Sequence, residues 1–117
     1  MGRISIFDMD FRKVYDALCA KAMRKGRTAA EVNQIISWLC GWPESYPETI
    51  MPGTMTYGDF FRKAPAMNPL RFLIKGSICG VKISEIDDPL MKDIRILDKM
   101  IDELAKGKST DQICRKG

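Results

Sequence analysis

Apolar residues return every three or four positions in several stretches of the chain, and each stretch is bounded by residues that start or stop helices. In the first, Phe11, Val14, Tyr15, Leu18, Cys19 and Ala22 form one helical stripe. Asp8 or Asp10 supplies its cap, because a short acidic side chain accepts the free amides of a first turn. Lys21, Arg24 and Lys25 suit the carbonyl end, and Gly26 stops the helix. Thr28 and Glu31 form a capping box for a second helix with Val32, Ile35, Ile36 and Leu39 inward, Trp38 at the edge and Gly41 as its stop. This helix–turn–helix unit is the clearest local pattern.

Residues 42–56 break the periodicity. Pro43, Pro47, Pro52 and Gly53 forbid a regular element, yet Trp42, Tyr46, Ile50, Met51 and Met55 are too apolar for a solvated linker. The segment is expected to fold back over the core as a compact loop. Thr56 or Tyr57 opens a short helix through Phe60 and Phe61 to Ala64. Asn68-Pro69 then reads as cap plus first helical residue, predicting a fourth helix over 69–79. That helix is apolar on most sides (Leu70, Phe72, Leu73, Ile74, Ile78), which predicts the most buried position. Asp88-Pro89 starts the longest helix, 88–106, with Leu90, Ile94, Leu97, Ile101 and Leu104 as its stripe and Asp88/Lys92, Lys99/Glu103 and Asp102/Lys106 at ion-pair spacing. Ser109 and Gln112 form a weaker box for a last short helix. Residues 3–7 read as an extended arm. The expected architecture is all-α: one compact domain over 1–117, five to six helices with a helix–turn–helix-like N-terminal pair, and the helices 69–79 and 88–106 as spine.

Composition fits this reading. The chain has 117 residues, 45% apolar and 29% charged, with a formal charge of +4. That suits one soluble domain and gives no dense basic footprint. No apolar run approaches the roughly 20 residues of a membrane span. Ile6 stands where a myristoylation signal wants Ser or Thr, and no signal-peptide core is visible, so a cytoplasmic location and no membrane partner are expected. Cys19, Cys40, Cys79 and Cys114 are far apart and read as reduced, small core hydrophobes rather than a zinc site or disulfide framework. There is no histidine, so the commonest acid, base and metal ligand near neutral pH is missing. No catalytic residue, metal ligand or cofactor is assigned.

Four features invite a functional reading. Lys21, Arg24, Lys25 and Arg27 cluster at the helix–turn–helix turn, where Ala22 and Gly26 match a DNA-binding unit. Lys21 and Arg27 occupy positions that such a unit keeps apolar, and only Asn33, Gln34 and Ser37 could read bases. Residues 62–82 hold five cations (Arg62, Lys63, Arg71, Lys75, Lys82) and no carboxylate, whereas residues 85–103 hold seven carboxylates and three cations. The two can compensate each other, or the basic stretch can hold an anion. Glu85, Asp87 and Asp88 adjoin, but Asp88 already serves as a cap and no calcium-type loop surrounds them. The apolar loop 42–56 is either a lid on the core or an adaptable contact surface. The seam of the long helix could join two copies, although it spans too few heptads for a coiled coil.

Several blocks then combine: Arg24-Lys25-Gly26-Arg27-Thr28 with Glu31-Val32, Trp38-Leu39 and Gly41; Phe60-Phe61, Ala64-Pro65 and Asn68-Pro69; Cys79-Gly80-Val81, Asp88-Pro89-Leu90-Met91, Ile94-Arg95, Leu97-Asp98-Lys99 and Asp102-Glu103-Leu104-Ala105-Lys106-Gly107-Lys108. Together they resemble domain-of-unknown-function family 2200, a small bacterial family. The resemblance runs over nearly the whole chain and implies a stand-alone cytosolic bacterial protein with no activity to carry over. The preferred reading is a non-enzymatic protein-interaction or ligand-binding module using Trp42, Tyr46, Tyr57, Arg71 and Lys75, with an unknown protein, small molecule or second copy as partner. The alternative is a nucleic-acid-binding protein using Lys21, Arg24, Lys25 and Arg27. An enzyme working without histidine is the third reading.

Overall fold

Short polar caps decide where each helix begins in the computed structural model, which describes residues 6–51, 54–78 and 80–115. Asp10 accepts the Arg12 amide and opens α1, Phe11–Met23. The Thr28–Glu31 capping box is formed in both directions and opens α2, Ala29–Cys40. Thr56 caps α3, Tyr57–Arg62. Asp88 caps α4, Pro89–Ala105, by accepting the amides of Leu90 and Met91. Ser109 and Gln112 form a second capping box on α5, Thr110–Ile113. The fold is all-α apart from a two-stranded antiparallel hairpin, β1 (Ser77–Ile78) and β2 (Val81–Lys82), with Ile78 opposite Val81. Among the described residues no helix is long and apolar enough to cross a membrane.

Helix α4 alone is the spine. It packs against α1, α2, α3, α5 and β1, so its buried surface is wider than the predicted stripe. Ile96 and Met100 join Ile94, Leu97, Ile101 and Leu104 with no exposed surface at all. Burying each such side chain is worth about 1.5–3 kcal/mol. The dimer-seam reading of this helix fails for the same reason: its stripe is already covered within the chain.

The fourth predicted helix does not form. Asn68 does cap a turn at the expected place, accepting the Leu70 amide at 2.9 Å, but only the 3-10 turn Pro69–Leu73 follows, with none of its residues buried. Ile74 already turns extended, at φ −73° and ψ 116°, and Gly76 follows at φ 105°, inside the predicted span. Left-handed backbone cannot continue a right-handed helix, and glycine enters that region cheaply. The apolar residues of the segment therefore alternate: Ile74, Ile78 and Ile83 go inward, while Phe72, Leu73 and Val81 face outward.

The loop after α2 behaves as a lid. Tyr46–Ile50 form a π-helical turn, and Tyr46, Met51 and Met55 are buried. The Trp42 ring stacks on Tyr46 at 3.9 Å, and its indole N–H donates to the Phe60 carbonyl. Backbone bonds from Phe11 to the Met55 carbonyl and from Tyr57 to the Met9 carbonyl close the segment onto the start of α1. Gly41 sits at φ 81°, and a Cβ there would stand 2.9 Å from Ala66, so the chain can return this tightly only past glycine. Residues 6–8 form a 3-10 turn rather than part of an extended arm. Residues 3–5 of that arm, Pro52, Gly53 and Cys79 lie outside the described residues.

Candidate functional site

The segment 68–84 is fastened to α4 by one ion pair and three isoleucines. Arg71 donates from Nε to Asp93 at 2.8 Å and from Nη1 to the Asn68 carbonyl at 2.9 Å, which fixes the 3-10 turn in place. Ile74, Ile78 and Ile83 enter the core, and the Ile83 amide donates to the Gly76 carbonyl at 3.0 Å, closing the base of the hairpin. With Ile74 anchored inward, the two residues before it are turned out. Phe72 is 53% exposed, and Leu73 and Val81 are each 44% exposed. The Arg71 guanidinium carbon lies 4.3 Å from the Phe72 ring centroid, a cation–π contact that steadies the ring.

Phe72 divides two cavities. One, of about 230 Å³, is lined by Ile74, Ile83 and Ile96 below and by Lys75, Ser84 and Lys92 around its mouth. The other, of about 210 Å³, lies between Arg71, Asp87, Pro89, Lys92 and Asp93. Both touch Phe72 and Lys92. Lys75 and Lys92 make no ion pair among the described residues. The surface is thus an apolar ridge with hollows on either side, two ammonium groups at the rim and the Asp87 carboxylate beside one hollow. It can receive an apolar side chain and attract carboxylates.

The proposed contact residues separate in the structure. Tyr46 and Tyr57 are core residues, 7% and 3% exposed, so neither offers a surface; the loop's apolar side chains close the domain instead. Trp42 is half-buried against Tyr46. Arg71 and Lys75 do meet at one surface, but on a turn and hairpin rather than along one helix face. Phe72, Leu73 and Val81 were missed because an apolar run after a helix start reads as core.

The basic cluster also divides. Arg27 is held by Glu31 at 2.6 Å and donates to the Leu104 carbonyl at 3.2 Å, joining the start of α2 to the end of α4. The hydrogen bond from Arg27 to Glu31 holds the Glu31 carboxyl below its usual range. Lys21 pairs with Asp102 at 3.4 Å. Arg24 and Lys25 are exposed, without an ion pair among the described residues. With Lys21, Asp102, Ala105 and Lys106 they line a groove of about 470 Å³. The base-reading expectation for Asn33 is overturned. Asn33 is buried, its Oδ1 accepting from the Tyr15 hydroxyl at 2.6 Å and its Nδ2 donating to Glu48 at 3.1 Å.

Cys19 and Cys40 are buried free thiols, and Cys114 is a half-buried one. Burial pushes all three up in pKa, Cys114 to about 11. A thiol so raised is a poor nucleophile at neutral pH. Asp88 is spent as the α4 cap, and among the described residues no three Cys, Asp or Glu side chains converge as metal ligands would.

The family described as uncharacterized protein conserved in bacteria (DUF2200) matches residues 5–115 of the chain. A solved crystal structure of an uncharacterized protein, SP1917, is similar: it shares 50% sequence identity at a TM-score of 0.88, over 96% of this chain and 93% of the other. No curated protein matches the chain.

Proposed function

The chain belongs to this family conserved in bacteria, and on that premise we propose that it is a non-enzymatic, cytoplasmic protein-interaction module whose contact surface is the ridge at Phe72. One observation carries the reading. Phe11, Phe60 and Phe61 are buried, whereas Phe72, Leu73 and Val81 stand exposed within ten residues of one another. An exposed aromatic and its neighbours, rimmed by charge, are how contact surfaces announce themselves. The size of the hollows favours a protein over a small molecule. Both, at about 230 and 210 Å³, fall below the roughly 300–1,000 Å³ of small-molecule pockets. They suit single side chains of a partner. Lys75 and Lys92 at the rim favour a segment that carries carboxylates beside its apolar anchors.

The test compares tagged full-length protein with its Phe72→Glu variant, both added to lysate from the native cell. An exposed site tolerates the change within about 0.5 kcal/mol of stability, so both stay folded by circular dichroism. The expected result is a partner recovered with the parent and lost with the variant, its yield falling as salt rises. Identical recovery with both proteins overturns the reading. Light scattering at high concentration checks the second-copy version, in which Phe72→Glu abolishes self-association.

A further inference from the structure

The groove between the ends of α1 and α4 holds more positive charge than its structural duties use. Lys21, Arg24, Lys25 and Lys106 line it with one carboxylate, Asp102. Asp102 meets Lys106 at 2.9 Å and Lys21 at 3.4 Å, so a single carboxylate serves two ammonium groups. The carbonyl ends of the two helices add about half a negative charge each. Together with Asp102 that makes about two negative equivalents against four cations. Arg24 and Lys25, both exposed and both at the end of α1, have no ion-pair partner among the described residues.

We propose that this groove is a phosphate-binding site that takes a pyrophosphate-sized polyanion, with Arg24 and Lys25 as its free cations and Lys21 and Lys106 shared between the ligand and Asp102. The volume of about 470 Å³ lies within the range of ligand sites, unlike the hollows beside Phe72. An arginine among lysines suits the task, since its fork meets phosphate oxygens two at a time while ammonium groups act as point charges. Asp102 competes with the ligand for the two lysines. Burial alone would raise its pKa, but the hydrogen bond from Lys106 and the charge and hydrogen bond of Lys21 outweigh that and hold it below the usual range. It stays ionised at neutral pH and limits the site to ligands of high charge density. Phosphate can be offered by a small diphosphate or by a nucleic-acid backbone, and four cations gathered on one groove of about 470 Å³ favour the former.

Calorimetric titration of the full chain with inorganic pyrophosphate at low salt tests the site. Binding should be measurable, weaken about tenfold in Arg24→Ala and again in the Arg24→Ala/Lys25→Ala double variant, and strengthen in Asp102→Asn. Lys63→Ala, a cation outside the groove, should leave it unchanged. No heat from the parent at about ten millimolar pyrophosphate, or equal weakening in Lys63→Ala, overturns the proposal. A parallel titration with single-stranded oligonucleotides separates the two sources. Affinity that grows with length and exceeds that of pyrophosphate overturns the small-diphosphate assignment. These readouts do not involve Phe72, so this site and the interaction surface stand or fall separately.

Discussion

Arg71 reaches across to α4 and donates from Nε to the Asp93 carboxylate at 2.8 Å. Their side chains are 17% and 13% exposed, so the pair sits between the surface regime, worth little, and the buried regime, where removing one partner is costly. Asp93→Ala should lower stability in urea denaturation by about 1–3 kcal/mol. Arg71→Met should cost less in the Asp93→Ala background than alone. Simple additivity of the two would mean that the pair contributes nothing beyond its separate side chains.

Glu103 is paired bidentately with Arg115, at 2.7 and 3.0 Å, and Lys108 stands 3.6 Å away. Burial raises its pKa, but the Arg115 hydrogen bond and the surrounding cations outweigh burial and hold it below its usual value. A carboxyl depressed on folding adds stability above its unfolded pKa, near 4.3, and loses it as pH falls through the folded value. The parent should therefore melt above Glu103→Gln from pH 7 down to about pH 5, and the gap should start to narrow near the unfolded pKa of about 4.3 and close as pH falls through the lower, folded value. Asp98 runs the other way. Burial raises its pKa despite Arg95, so its ionised form costs stability that acid relieves. The comparison with Glu103→Gln removes that contribution, which both proteins share.

Asn33, Tyr15 and Glu48 form a triangle that ties the lid to α1 and α2. Replacing Asn33 by Ala leaves the buried Tyr15 hydroxyl short of its 2.6 Å acceptor. We expect a loss of about 1–3 kcal/mol and faster amide exchange confined to residues 46–51. Exchange accelerated evenly over the whole chain would show that the triangle steadies the domain rather than the lid.

The Tyr57 hydroxyl is buried without a hydrogen-bond partner of good geometry among the described residues. Such a group carries a desolvation cost with no return. Tyr57→Phe should hold or raise the melting point, by an amount equivalent to at most about 1 kcal/mol. A fall would show that Asp98, the carboxylate whose charge it feels, accepts a hydrogen bond from it in solution.

Local signals in the chain proved readable where one residue acts on its near neighbours. Thr28 with Glu31, Asp88 with Pro89 and Ser109 with Gln112 each start a helix where their chemistry says they should. Asn68-Pro69 starts a turn correctly, but the helix does not continue: Ile74 goes inward on extended backbone and Gly76 follows in the left-handed region, against what a run of apolar side chains suggests. Asn33 was legible in part. It shares a helical face with Val32, Ile36 and Cys40, so its burial was available from spacing, although its partners in α1 and the lid were not. The basic cluster at Lys21, Arg24 and Lys25 was legible, but the groove it forms with Asp102 and Lys106 was not, and the pocketed ridge at Phe72 had no local signature. Each is made by α4 meeting a segment distant in the chain, and no spacing rule joins Lys21 to Asp102 or Phe72 to Lys92.

The order of the elements has a consequence for how the protein is made. Helices α1 and α2 bury their apolar faces on each other and on α4, which begins at Pro89. A nascent chain emerging at about 5–20 residues per second carries the α4-facing part of those surfaces uncovered for several seconds. The capping box at Thr28 can hold the second helix's shape in that interval but cannot hide its oily side. The steps most exposed to misassembly therefore come before the long helix leaves the ribosome, and a chaperone has its greatest opportunity there.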